Sequence, residues 1–175
     1  MDGSTDFLHL IANNDCRVLF EKGAPAGKLK RDLIYLTDHT GKALTLSTPQ
    51  GYRSSPVELH RSIFDDFLAA SLIRQDGEGS DDKIMFALTP DGKARGLSIS
   101  YDEQAQIMMW DEPYDDGRRS ASVVADGISL AEAIRRVMAM PAAQRSGVAS
   151  IGTHVRLYDL SLIEAIYRRS DFPAS

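Results

Sequence analysis

Between Ser55 and Gly96 the chain carries an unbroken series of local signals, SPVELHRSIFDDFLAASLIRQDGEGSDDKIMFALTPDGKARG, whose order restricts the fold more than any other stretch. Ser55 suits a helix N-cap, Pro56 suits the first helical position, and Glu58 completes a capping box. Leu59, Ile63, Phe64, Phe67, Leu68 and Leu72 then recur at helical spacing. The pattern predicts a helix over 55–70 with a wide apolar face. Leu72, Ile73 and Arg74 read as the start of a strand, and Asp76 to Asp82 as a polar loop. Ile84 to Leu88 returns as a second strand, which Pro90, Asp91 and Gly92 end.

The rest of the chain gives shorter signals. Residues 5–14 read as a helix with Phe7, Leu8, Leu10 and Ile11 on one side, and Arg17 to Glu21 as a strand. Residues 29–48 admit either a helix or a hairpin turning at His39, Thr40 and Gly41. Beyond Gly96, Leu97 to Tyr101 and Ile107 to Trp110 read as strands around a turn at Glu103, Gln104 and Ala105. Ser120 to Ala125 and Ile151 to Leu157 are further strand candidates. Capping boxes at Ser129–Glu132 and Ser161–Glu164 open two more helices. A division near Gly96 follows, giving modules at 1–96 and 97–175.

Composition narrows the function classes. The 175 residues include 26% charged and 43% hydrophobic residues, as in an ordinary globular protein. Apolar runs such as Ile107 to Trp110 are far short of the roughly 20 residues that cross a bilayer. The N-terminus is acidic and has no long apolar stretch, so no signal peptide is expected. One cysteine, Cys16, excludes an intrachain disulfide, and a cytoplasmic location is the simplest expectation. The net charge is −5 and neither half is basic, which disfavours a surface devoted to phosphate contacts.

Motifs for chemistry are weak. His9, His39, His60 and His154 have no metal-ligand spacing, and Cys16 is the sole thiol, so no metal or cofactor is expected. The acidic residues Asp102, Glu103, Asp111, Glu112, Asp115 and Asp116 read as a solvated loop, with Arg118 and Arg119 as counter-ions. The chain has no GxSxG elbow, no GxGxxG and no P-loop. Arg17 beside Cys16 favours a slightly lowered thiol pKa, although a lone cysteine in a strand is more often a small core residue. Met108, Met109, Trp110 and Phe86 suit either a pocket lining or, better, a core strand. No catalytic residue set emerges, and the expectation is a non-enzyme.

One resemblance is specific. Leu68, Ala70, Leu72 and Ile73, followed by Leu88, Thr89, Gly92 and Lys93, resemble the recognition helix and wing of MarR- and PadR-type winged-helix regulators, with Ser71 where that family usually has Gly. The likeness covers residues 55–96. It implies an α+β fold with a winged-helix-like N-terminal module followed by a small α+β module, and by analogy a helix at 28–36. It implies a homodimeric regulator binding double-stranded DNA through Arg53, His60 and Arg61. The C-terminal helix, with Leu160, Ile163, Ile166 and Tyr167 on one side, offers a dimer contact. Glu78, Asp81 and Asp82 at the wing tip would repel phosphates. The rival expectation is a protein–protein adaptor that does not bind DNA.

Overall fold

The structure is a computed structural model that describes residues 3–26, 29–46, 55–77, 79–111 and 120–173. It is an α+β protein with two four-stranded antiparallel sheets. Residues Met1–Ser98 and Ile99–Ser175 form two compact units. Among the described residues no helix is long and apolar enough to cross a membrane.

The first unit opens with helix α1 (Gly3–Asn13) and the hairpin strands β1 (Arg17–Ala26) and β2 (Leu29–Thr37). A two-stranded flap, β3 (Thr45–Leu46) with β4 (Ser55–Pro56), precedes helix α2 (Arg61–Ala69). Strands β5 (Ile73–Gln75) and β6 (Lys83–Leu88) and helix α3 (Pro90–Gly96) complete it. The sheet order is β2-β1-β6-β5. Val18, Ile34, Leu36 and Ile73 of the sheet are buried with Leu8 and Ile11 of α1 and Phe64 and Phe67 of α2. Phe64 stacks on Phe20 at 6.0 Å between ring centroids and meets Phe86 edge-on at 5.0 Å.

This arrangement overturns the winged-helix expectation. Residues 29–37 form a strand because burial follows a period of two, with Ile34 and Leu36 buried and Leu33 and Tyr35 half-buried. Ser55 and Pro56 do not cap a helix. They pair with Leu46 and Thr45, and Glu58 bridges to Tyr35. The helix starts at Arg61, where the His60 side chain accepts from the Ser62 N–H. The supposed wing is not free either. Strand β6 pairs with β1 along Val18–Glu21 on one side and with β5 on the other, so it is an interior strand. Strand β1 also runs beyond Glu21, the end of the strand read from the sequence, and continues to Ala26 past an irregularity between Glu21 and Ala24.

The Thr-Pro-Asp-Gly segment that suggested a family is a local docking device. Thr89 caps α3 by accepting from the Gly92 N–H at 3.1 Å, and its hydroxyl donates to the Ser71 carbonyl at 2.8 Å. A Cβ on Gly92 would lie 2.0 Å from the Leu72 carbonyl oxygen, and one on Gly96 would lie 2.4 Å from the Leu8 carbonyl oxygen. Glycine at both ends lets α3 lie directly on the start of β5 and on α1. The Asn13 amide donates to the Gly96 carbonyl at 3.0 Å across the same contact.

The second unit contains β7 (Gln104–Trp110), β8 (Ala121–Ser129), α4 (Leu130–Ala139), α5 (Ala142–Arg145), β9 (Val148–Thr153), β10 (Leu157–Tyr158) and α6 (Leu160–Tyr167). Its sheet order is β10-β9-β7-β8. The expected strand over Leu97–Tyr101 is absent, and the expected turn residues Gln104 and Ala105 belong to β7. Ser129 caps α4 as its capping box predicts, accepting from the Glu132 N–H. Helix α6 begins at Leu160 and is capped by Asp159 rather than by Ser161. Leu130, Ile134 and Val137 of α4 and Leu162, Ile163 and Ile166 of α6 are buried with Ile107 and Ile151 of the sheet. The side of α6 expected to contact a dimer partner therefore contributes Ile163 and Ile166 to its own core.

Candidate functional site

Of the residues expected to contact DNA, Arg53 lies outside the described residues. His60 is exposed and holds the start of α2, with Nδ1 2.8 Å from the Ser62 hydroxyl. Arg61 is exposed but engaged. Its Nε donates to both Asp65 carboxylate oxygens at 2.9 and 3.1 Å, Nη1 lies 3.9 Å from Asp32, and its guanidinium sits 5.4 Å from the Phe20 ring centre. His60 and Arg61 thus adjoin at one helix end, each with a partner in its own unit. Asp81 and Asp82 are exposed before β6, while Glu78 lies outside the described residues.

The acidic group does not gather into a site among the described residues. Asp111 accepts from the Ser120 and Ser122 hydroxyls at 2.6 and 2.8 Å, which hold its carboxyl below the usual range. Glu112, Asp115 and Asp116 lie outside the described residues. No described cluster of His, Cys, Asp and Glu could hold a metal ion. Cys16 is buried, and burial first, then the Asp15 and Asp38 carboxylates, pushes its thiol up rather than down. The influence of Arg17 expected from the sequence is outweighed: its guanidinium lies 3.3 Å from Asp76.

A different surface stands out, the outer face of the second sheet. Ala105, Ile107 and Ile151 point to α4 and α6 and are buried. Strand alternation and register set Gln104, Gln106, Met108 and Trp110 of β7 on the opposite face. Ala121, Val123 and Ser129 of β8, Ser150 and Gly152 of β9, and, beyond Gly152, Leu157 of β10 are their cross-strand neighbours. These side chains are uncharged, and Asp126, opposite Gln106 where the β7–β8 register shifts, is the charged residue beside them. An antiparallel sheet with one solvated face normally shows polar residues there. Here Trp110 is 47% exposed, Val123 53% and Leu157 66%.

This face has relief. Trp110 stands at one end, paired with Ala121. At the other end is a cleft of about 300 Å³, lined by Gln104, Ala105, Gln106, Asp126, Gly152, Thr153 and His154. Among the described residues, neither glutamine amide has a side-chain hydrogen bond. The sequence did not expose this surface. The apolar run at 107–110 hides which side each residue takes, and Phe86, grouped with it from the sequence, lies in the first unit against Phe64. The usable signal was the neutral alternation of Gln104, Gln106, Met108 and Trp110.

Comparison of the chain with protein-family models, with curated proteins and with solved structures yields no match.

Proposed function

We propose that this chain is a non-enzymatic interaction protein that docks a protein surface on the outer face of its C-terminal sheet. The observation that carries the reading is the uncharged alternation along β7, which ends in a half-exposed tryptophan. Large exposed apolar patches on globular proteins mark interaction sites. Tryptophan is the residue most often found at the energetic centre of an interface. Covering the exposed part of Trp110, roughly 100 Å² of mostly apolar surface, would stabilise a complex by about 2–3 kcal/mol. DNA binding drew its support from a winged-helix arrangement that the fold does not have, and no other observation favours it.

The experiment compares proteins retained from the source cells by the immobilised wild-type chain and by a Trp110→Lys, Val123→Lys variant. Both substitutions fall on exposed positions, so the variant should fold, which circular dichroism verifies. The expected result is one or more proteins held by the wild type and released by the variant. Identical retention by both would refute the reading.

A further inference from the structure

We infer that the cleft at the Gln104 end of this face receives an arginine side chain of the docking protein. The inference rests on the reading of the face as an interaction surface and names what the partner must carry. Ala105 pairs with Ile128 and Ile107 with Ala125, so Asp126 and Gly127 together oppose the single residue Gln106. Such a bulge re-aims a side chain. Gly127 takes a left-handed φ of 67° within it, and Asp126 lines the cleft beside Gln104 and Gln106. Asp111, Asp159 and Asp171 use their carboxylates inside the unit, on serine hydroxyls, a helix cap and Arg169. Among the described residues the Asp126 carboxylate accepts only from the Gly127 N–H, at 2.8 Å, and joins no ion pair. Arg156 follows the lining residues Thr153 and His154 in sequence but does not answer it. One of its Nη atoms is buried, and its charge acts on Tyr158, which is buried on the inner side of the sheet with Ile151.

One hollow thus holds a carboxylate and two side-chain amide oxygens, those of Gln104 and Gln106, with no cation to match them. A planar guanidinium, with five N–H donors, can serve a carboxylate and an amide oxygen at once, whereas an ammonium is a point charge. The hollow exists because residue 152 is glycine. A Cβ there would lie 3.3 Å from the Gln106 amide nitrogen and 3.4 Å from Leu157 Cδ2. Leu157, 66% exposed, offers apolar surface along which the aliphatic stem of a long cation can lie. The rest of the face selects a protein as the source of the arginine. Gln106, Met108 and Trp110 follow one another every two residues, about 6.5–7 Å apart, which is the repeat of any extended chain. A partner segment laid along β7 with its arginine in the cleft sets the residues two and four positions away over Met108 and Trp110, and those residues should be apolar. Arginine and tryptophan are among the residues most often found at the energetic centre of an interface.

An exposed ion pair by itself contributes little, so a free arginine derivative should bind with a dissociation constant of about 1–10 mM. N-acetyl-arginine amide, titrated to about 50 mM into the isotope-labelled full chain at constant ionic strength, tests this by NMR. The expected result is saturable movement of the Gln104 and Gln106 side-chain amide signals and of the Asp126 and Gly127 backbone signals. N-acetyl-citrulline amide, neutral and of nearly the same shape, should bind at least tenfold more weakly. So should the arginine probe to Asp126→Asn, a change of charge without size at an exposed position. No saturable movement, equal binding of the citrulline compound, or binding that Asp126→Asn leaves unchanged would each overturn the inference. Equal binding of N-acetyl-lysine amide would overturn the choice of a guanidinium. The retention experiment separates the inference from the reading it rests on. Proteins held by the wild type and released by Trp110→Lys, Val123→Lys should be released by Asp126→Arg as well. If Asp126→Arg holds them, or the probe fails, while Trp110→Lys, Val123→Lys still releases them, the arginine assignment falls and the interaction reading stands. Identical retention by every chain refutes the reading and the inference with it.

Discussion

Asp171 illustrates how much a single side chain organises near the C-terminus. Its carboxylate accepts from Arg169 Nε at 2.7 Å and Nη2 at 2.6 Å, and from the Tyr101 hydroxyl at 3.3 Å. Phe172 beside it packs on Tyr101 and Tyr167, with ring centres 5.4 and 5.1 Å away. The Arg169 guanidinium, first among the causes, holds the Asp171 carboxyl below its ordinary value. A carboxylate lowered by folding adds stability above its unfolded pKa, and that contribution is lost as pH falls through the folded value. The thermal midpoint of the wild type should therefore drop more steeply between about pH 5 and pH 3 than that of Asp171→Asn. Equal slopes would show that the clasp adds nothing. Legibility at this scale was uneven. Ser129 with Glu132 reads correctly as a helix start because the next turns, through Leu130, Ile134 and Val137, also bury an apolar stripe. Ser55 with Glu58 has the same spacing, yet Leu59 is buried and Glu58 pairs with Arg31 of β2, so the capping signal is not used. Ser71 takes a left-handed φ of 54° just after α2, where a glycine would be at ease.

Among the elements, α3 shows a motif whose meaning is mechanical. Seven residues are too few for a helix to stand alone. Its stability comes from Pro90 at the first turn, the Thr89 cap, and the close approach allowed by Gly92, Ala94 and Gly96. Gly96→Ala should cost about 2–3 kcal/mol by driving α3 off the Leu8 backbone. Chemical denaturation measures it, and a loss under 0.5 kcal/mol would mean that α1 and α3 part easily. The hydrophobic period correctly located α1, β1, β6 and the body of α2. At residues 29–37 it left helix and hairpin open, and the likeness to a regulator argued for the helix against a run rich in strand formers. Tertiary pairing decided there. The alternation of Ile34 and Leu36 fits the sheet face already lined by Val18 and Phe20. A helix would have scattered the same residues around its circumference.

For the whole molecule, charge and surface shape matter more than any single motif. The chain is at −5, and Arg61, an expected phosphate contact, is satisfied by Asp65 and Phe20. Mixed-sequence duplex DNA should therefore go unbound at about 50 mM salt, measured by fluorescence anisotropy. Binding that weakens steeply with added salt would revive the phosphate-contact reading. The class of the fold, α+β with most of its elements, could be read from the sequence, but the connection of strands into two sheets could not. Pairing partners such as β1 with β6 lie some 65 residues apart, and local patterns carry no record of them. The docking of α3 on α1 has one more consequence. Leu8 and Gly96 stand backbone to backbone and the Asn13 amide reaches the Gly96 carbonyl, so α3 is moored along the second half of α1. An opening that frees either helix therefore exposes the other, and the amides of both should lose their hydrogen-exchange protection together.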